Sequence, residues 1–430
     1  MMWMNNKIIT ISFKRINTSF FLQMTLTNII TCFDDATDDI VCLECHPQQK
    51  HIVLAGSQDN NLYIFDTVQQ IVLAKISDFT DSVTHVKWVA NNQFLACSLD
   101  GSIILYQFEI TEFPQPITVN SITGLSNLCD FQISKNFVFA ISEDQQFYVV
   151  DFAQNPPLLV SCIYLENLVD IQVNKSQVIL IGSTFTLYDF KSNEQKQIQV
   201  SNLTDGKPTT SMLDKARQLL FVGYDNGCVE VLQISSANQT TRLIKISQLA
   251  GLTIAGVNQI QTQFINGLQY YYVATNDAIY VYEANLVIRA CSKLMNQGVS
   301  QFCFKFTSIQ NSVLKLEDRT NMAVPQQGGA LEIKEHQAGK QFSNVQLICG
   351  MTDGEVCVFD ALSIEKICNF DAIQTDEDAK PALCIDLNEQ GVVIGGDRYL
   401  YVYSDDFDEI RNAQEKMEET SFQNVDEEIE

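Results

Sequence analysis

Along most of the chain, short runs of alternating apolar residues break at small or Asp/Asn positions and resume as a second run that mostly ends on an aromatic residue. The copies read VLAGSQDNNLYIFD (53–66), FLACSLDGSIILYQ (94–107), FVFAISEDQQFYVVD (137–151), VILIGSTFTLYD (178–189), LLFVGYDNGCVEVLQ (219–233), YYVATNDAIYVYE (271–283), LICGMTDGEVCVFD (347–360) and VVIGGDRYLYVYS (392–404). Their closing positions, Phe65, Tyr106, Val150, Tyr188, Leu232, Tyr282, Phe359 and Tyr403, are separated by 41, 44, 38, 44, 50, 77 and 44 residues. Alternation with a period of two predicts paired strands. A period near 44 residues, built from short strands, predicts a β-propeller, because each small sheet must cover its faces with its neighbours. The expected fold is therefore all-β, a ring of eight blades. Seven blades is the alternative if one copy is an insertion.

The strand order within a blade is legible between these signatures. In the second repeat, SVTHVKW (82–88) reads as the inner strand, QFLACS and SIILYQF as the middle pair, and PITVNSI (116–122) as the outer edge. The last repeat stops one strand short, because the segment after Ser404 is too charged to join a buried sheet. LTNIITCF (26–33) precedes the first inner strand and is available to fill the gap. Pairing of 26–33 with 399–404 would close a propeller over 26–404. The spacing of 77 holds a seventh inner strand, VSQFCFKFT, and then a loop insertion at 308–344 that includes PQQGG. Residues 405–430 form an acidic tail with eleven carboxylates against Arg411 and Lys416, expected as a frayed helix or a disordered segment.

Composition narrows the function classes. With 430 residues and 46% hydrophobic content the chain can bury a large core. A net charge of −25 argues against a nucleic-acid surface, since phosphates are repelled at every approach. Membrane anchoring is not expected either, because the strongest apolar stretch, IITISFKRINTSFFL, is interrupted by Lys14 and Arg15. Residues 1–25 read as a weakly basic leader around Met24, either a targeting segment or sequence upstream of the true start. Thirteen cysteines, an odd count, favour reduced thiols and a cytoplasmic location, with the nucleus as alternative.

Candidate chemistry is sparse. Cys42-Leu-Glu-Cys45-His46 matches a haem-attachment string, but on an inner strand Cys42 and Cys45 face opposite sides, so neither haem nor zinc is expected. With four histidines, no phosphate loop and no nucleophile or zinc-protease motif, no catalytic residues and no cofactor are expected. Converging carboxylates in the central channel are the remaining enzymatic alternative.

"LDGSIILYQ" and "TDGEVCVFD" resemble the Asp-Gly turn and following strand of the WD repeat, and the resemblance covers roughly residues 26–404. Every copy is degenerate: none ends in Trp, and none carries the family's Gly-His pair. The family's internal His-Asp hydrogen-bond network is therefore expected to be incomplete, leaving turn aspartates to project outward. The family register implies that the middle turn and the loop leading into the inner strand open on one rim. It puts Asp59, Asp100, Asp144, Asp225, Asp353 and Asp397 on that rim. Lead-in loops add Asp34, Asp35, Asp38 and Asp39 for the first blade, Asp78 and Asp81 for the second, and Asp376, Glu377 and Asp378 for the eighth. In a closed ring the first and eighth blades are neighbours, so seven of these carboxylates gather in one sector.

The expected function is a non-enzymatic interaction scaffold, a monomeric propeller or a subunit of a larger complex, whose acidic rim takes a protein partner with a basic segment. The opening blades, DDIVCLECHPQQKHIVLAGSQDNNLYIFD and DSVTHVKWVANNQFLACSLDGSIILYQ, are also similar to the subfamily of the angio-associated migratory cell protein and its fungal ribosomal-protein chaperone relative. That resemblance implies, as an alternative, a dedicated chaperone of a basic ribosomal protein in large-subunit assembly. The subfamily's acidic N-terminal lead-in is absent here.

Overall fold

The computed structural model describes residues 29–109, 114–200, 204–237, 240–249, 255–294, 298–306, 345–371 and 381–404, together with the strand paths of 2–4, 7–16 and 19–26. The insertion 308–344 and the tail 405–430 lie outside the described residues.

Eight four-stranded antiparallel sheets form a ring. Their inner strands are, in order, Ile40–Cys45, Val83–Ala90, Leu128–Ser134, Asp170–Asn174, Pro208–Asp214, Val257–Ile265, Val299–Phe306 and Cys384–Leu387. In blades 1 to 7 the four strands follow one another in the chain. The eighth blade takes its outer strand from the other end of the sequence: Ile29–Phe33 runs antiparallel to Tyr399–Ser404, with Cys32 opposite Tyr401 and Ile29 opposite Tyr403. The expected closure is present, and its described pairing begins at Ile29. Leu26 instead ends Ser19–Leu26, which joins Lys7–Ile16 and Met2–Met4 in a separate three-stranded sheet.

The middle turns explain the small and Asp/Asn positions in the signatures. Gly101 sits at φ 79°, and a Cβ there would lie 1.9 Å from the Leu125 carbonyl oxygen, so both backbone conformation and space require glycine. Asn60 takes the corresponding left-handed place in blade 1 at φ 68°.

The core is divided among the interfaces between blades. Ile52, Leu54, Leu62 and Ile64 of blade 1 pack on Val83, Trp88, Phe94 and Tyr106 of blade 2, and equivalent clusters join every neighbouring pair. Phe33, Ile40, Val53 and Phe65 pack on Cys384, Val393, Leu400 and Val402 across the ring closure. Alternating side chains of each middle strand thus meet two different neighbours, which is why the signatures are apolar on both faces.

The inner strands are sheet edges, and their unpaired backbone groups need partners. Side chains of the adjacent blade supply them. Thr84 Oγ1 donates to the Leu128 carbonyl at 2.7 Å, Thr209 Oγ1 to Val257 at 2.6 Å and Asn258 Nδ2 to Val299 at 2.7 Å. Gln259 Oε1 accepts the Phe302 N–H at 2.8 Å, and Asp386 Oδ2 accepts the Cys45 N–H at 2.9 Å across the closure.

Candidate partner-binding rim

The lead-in loop and the middle turn of a blade are stitched together by a backbone hydrogen bond, so they open on the same rim. The bond runs from Gln58 N to Asp39 O (2.9 Å) in blade 1 and from Leu99 N to Ser82 O (3.0 Å) in blade 2. It recurs from Glu143 to Asn127, Ser183 to Glu166, Asp225 to Lys207, Asn276 to Gly256 and Thr352 to Gly298. The register transferred from the WD repeat therefore holds for blades 1 to 7, and this rim is called the upper rim below.

The turn aspartates do not behave as the missing histidine suggests. In blade 1, Asp59 Oδ2 accepts the Thr37 N–H at 2.8 Å and the Tyr63 hydroxyl at 2.7 Å, while Oδ1 accepts the Asn61 N–H at 3.0 Å. In blade 2, Asp100 Oδ2 accepts the Thr80 N–H at 2.7 Å, and Oδ1 takes the Ser102 N–H at 2.9 Å together with its hydroxyl. Ser57 and Ser98 each donate to the lead-in carbonyl of Asp38 and Asp81 at 3.0 Å. A threonine in the lead-in loop thus takes the place that the family gives to histidine. Burial works against ionisation of Asp59 and Asp100, but the donors outweigh it and hold both carboxyls below the usual aspartate range. The expectation that these two lack internal partners is corrected. Their charge is spent on tying turn to loop, and the sequence signal is a threonine 20 to 22 residues ahead of the turn aspartate.

The remaining predicted residues sort by element. Asp225 Oδ1 accepts the Lys207 N–H at 3.0 Å, Asp353 Oδ1 the Glu355 N–H at 3.1 Å, and Asp78 Oδ2 the Tyr106 hydroxyl at 3.0 Å. Asp81 and Asp144 are exposed, as are Asp34, Asp35 and Asp38 on the lead-in loop of blade 1. Asp39 is half-buried beside them. Asp376, Glu377 and Asp378 lie outside the described residues.

At the ring closure, Thr37, Asp38 and Asp39 face Asp397 and Arg398 of the eighth blade's middle turn around an open cavity of about 240 Å³. The structure brings together the first-blade loop and Asp397; of the seven carboxylates expected in this sector, the three of the eighth blade are outside the described residues. Sequence reasoning counted acids and passed over Arg398. Its Nη2 donates to the Tyr399 hydroxyl at 2.9 Å, and its guanidinium lies 5.1 Å from that ring's centre. The Tyr399 hydroxyl, with Asp397 and Asp34 nearby, holds Arg398 in its charged form. Among the described residues the sector is therefore acidic with one cation, Arg398, set into it.

The channel carboxylates are used structurally. Glu44 accepts the Trp88 N–H, Asp386 the Cys45 N–H, and Asp170 the Ser211 N–H and hydroxyl at 2.9 and 2.8 Å. Asp130 lies 3.2 Å from His85 Nδ1. Each joins one inner strand to the next. Burial pushes the Asp170 carboxyl up to about 7 despite those donors, and desolvation pulls His85 down. Among the described residues no group of three or more His, Cys, Asp or Glu side chains is arranged to hold a metal ion. In the Cys42-to-His46 string, Cys42 packs toward blade 2 and Cys45 toward blade 8. His46 Nδ1 accepts the N–H groups of Gln48 and Gln49 at 3.1 and 2.9 Å, and its Nε2 donates to Asn91 O at 2.7 Å.

The family model for the WD domain, G-beta repeat, matches residues 27–66 and 72–107. These are the two blades in which the threonine–aspartate tie replaces the histidine. No curated protein matches the chain by sequence. Among solved structures, Sqt1 of Chaetomium thermophilum is similar at TM-score 0.69 and 14% identity, covering 88% of this chain and 98% of its own. The same protein bound to the N-terminus of the ribosomal protein L10 is similar at TM-score 0.68 and 14% identity, covering 88% and 100%. Sqt1 of Saccharomyces cerevisiae follows at TM-score 0.64 and 11% identity, covering 88% and 99%.

Proposed function

We propose that this chain, a WD40-type β-propeller of degenerate repeats, is a non-enzymatic scaffold that binds a protein partner through its upper rim. The docking sector is the junction of the first and eighth blades, and the partner brings a lysine- or arginine-rich segment. One observation carries this reading: Asp38 and Asp39 meet Asp397 around an open cavity at the ring closure, with Asp34 and Asp35 exposed on the same loop. A concave surface on which three carboxylates outnumber one guanidinium has a negative local potential and steers cationic segments in at enhanced rate. Asp59 and Asp100 hold the loops in place and contribute only indirectly.

A second reading is narrower. The architecture resembles Sqt1, which has been solved with the N-terminus of a ribosomal protein, and this supports a dedicated chaperone of a basic ribosomal protein in large-subunit assembly.

Affinity capture from lysate at low and high salt separates them. A single dominant, strongly cationic ribosomal client released by salt supports the chaperone. Several salt-sensitive partners support the scaffold. Partners retained unchanged at high salt would overturn the acidic-rim reading.

A further inference from the structure

The lower rim, where the turns between first and second strands open, carries lysines where the upper rim carries acids. In blades 3, 4 and 5 these turns hold Lys135, Lys175 and Lys215, and the turn between third and fourth strands of blade 4 adds Lys191. All four are exposed, and none forms one of the ion pairs found among the described residues. Three of the carboxylates that flank these turns are engaged, while Glu194 is exposed beside Lys191. Asp214 accepts the Ala216 and Arg217 N–H groups at 3.0 and 3.1 Å and both Gln269 Nε2 and the Tyr271 hydroxyl at 2.7 Å. Asp189 accepts the Lys191 N–H at 3.0 Å, and Asp151 the Ala153 N–H at 2.9 Å. In a chain of net charge −25, this sector therefore presents cations outward.

The third strand of each blade runs from the upper rim to the lower, so Tyr399–Ser404 releases the 26 residues that follow at the lower rim of blade 8. Those residues carry eleven carboxylates against Arg411 and Lys416. Blade 4 stands opposite blade 8 in a ring of eight. Sheets packed ~10 Å apart with strands ~4.8 Å apart give a ring on the order of 50 Å across, and 26 residues reach at most ~85–90 Å when extended.

We propose that the acidic segment 405–430 docks intramolecularly on the lysine turns of blades 3 to 5, across the lower face. Tethering makes the contact an intramolecular one at high effective concentration, which compensates for individually weak exposed ion pairs. Docking there also keeps the tail's carboxylates off the upper rim, where they would compete for a cationic partner.

Zero-length carbodiimide coupling of the full chain, followed by peptide mapping, tests this directly. The expected result is amide links from acids of 405–430 to Lys135, Lys175, Lys191 or Lys215 within the monomer. At 500 mM salt their yield should fall at least five-fold. Links confined to a covalent dimer would assign the tail to a second copy and overturn the proposal. Absence of links to these four lysines, or links indifferent to salt, would overturn it as well. The variant K135E/K175E/K191E/K215E should lose the links. Should that variant misfold, the single Lys→Gln variants, each removing its own link alone, give the same reading. Peptide binding to the upper rim is a separate measurement, so failure of either reading leaves the other standing.

Discussion

Asp59 and Asp38 are both rim aspartates of the first blade, yet the molecule uses them in opposite ways. Asp59 turns inward and ties Thr37, Asn61 and Tyr63 together, so its charge is held and stabilised by local donors. Among the described residues Asp38 takes the N–H of Asp39, at 2.9 Å, and it stays exposed beside Asp34 and Asp35. The second blade repeats the contrast with Asp100 held by Thr80 and Asp81 left at the surface. A carboxylate that receives several donors is part of the scaffold; one that receives a single local donor remains available to a partner. Stability and binding should therefore respond to different members of one acidic rim.

The largest effect is expected on binding. Reversing Asp34, Asp35 and Asp38 to Lys exchanges three weak attractions of ~0.2–1 kcal/mol each for repulsions. Affinity for a cationic peptide should fall about a hundred-fold at low salt, read by calorimetry, while the unfolding temperature stays nearly unchanged. A large loss of stability in this triple variant would break the contrast with Asp59.

Next comes the converse. Asp59→Ala or Asp100→Ala strands several donors and should cost about 1–3 kcal/mol of stability in denaturant unfolding, with peptide affinity of the folded fraction little changed. Because both carboxyls titrate below an unfolded aspartate, the stability they supply is present above that unfolded value and is lost as pH falls through it and below. An acid-unfolding midpoint that does not move in Asp100→Ala would contradict this.

A smaller effect of the opposite sign belongs to the channel. Asp170 is raised to about 7 by burial, so the folded chain holds its proton more tightly than the unfolded chain. Its contribution is complete below the unfolded value and disappears as pH rises through 7. The unfolding temperature should rise by about half a degree between pH 8.5 and 7 and more steeply just below 7, and Asp170→Asn should flatten that rise. Below pH 6.5 the depressed His85 acts in the other direction, because the unfolded chain then binds the extra proton. The Asp130 carboxylate and Lys87 face it from neighbouring positions and modulate that limb.

The smallest effect concerns the cation in the acidic sector. Arg398→Gln removes a positive charge beside Asp397 and should tighten a cationic peptide a few-fold without altering stability, since the side chain is exposed. Weaker binding in this variant would show that Arg398 itself holds the partner.

The repeat period gave the blade count and the closing strand because each blade is a local unit with its own alternation and turn. At the closure, Leu26 pairs with Ile9 in the separate sheet, a pairing that the alternation in LTNIITCF does not announce. The tie between Thr37 and Asp59 was harder to read, because its one signal, a threonine 20 to 22 residues ahead of the turn aspartate, shows itself only once blades 1 and 2 are set side by side. The channel carboxylates were hidden for a related reason. Glu44, Asp170 and Asp386 sit on apparently ordinary strands, and only the adjacent blade reveals the edge N–H groups that they accept. Arg398 was in plain view, but summing acids along a loop ignores a cation on the neighbouring turn.

The central claim is that exposed carboxylates at the closure of the ring receive a cationic segment. The most direct measurement is titration of the full chain with an arginine- and lysine-rich peptide at several salt concentrations between 50 and 500 mM. Affinity should fall steeply and continuously with salt, through slower association, and the dependence should be much shallower in the Asp34, Asp35, Asp38 reversal variant. Affinity that stays constant across that range, or a slope identical in the two proteins, would contradict it.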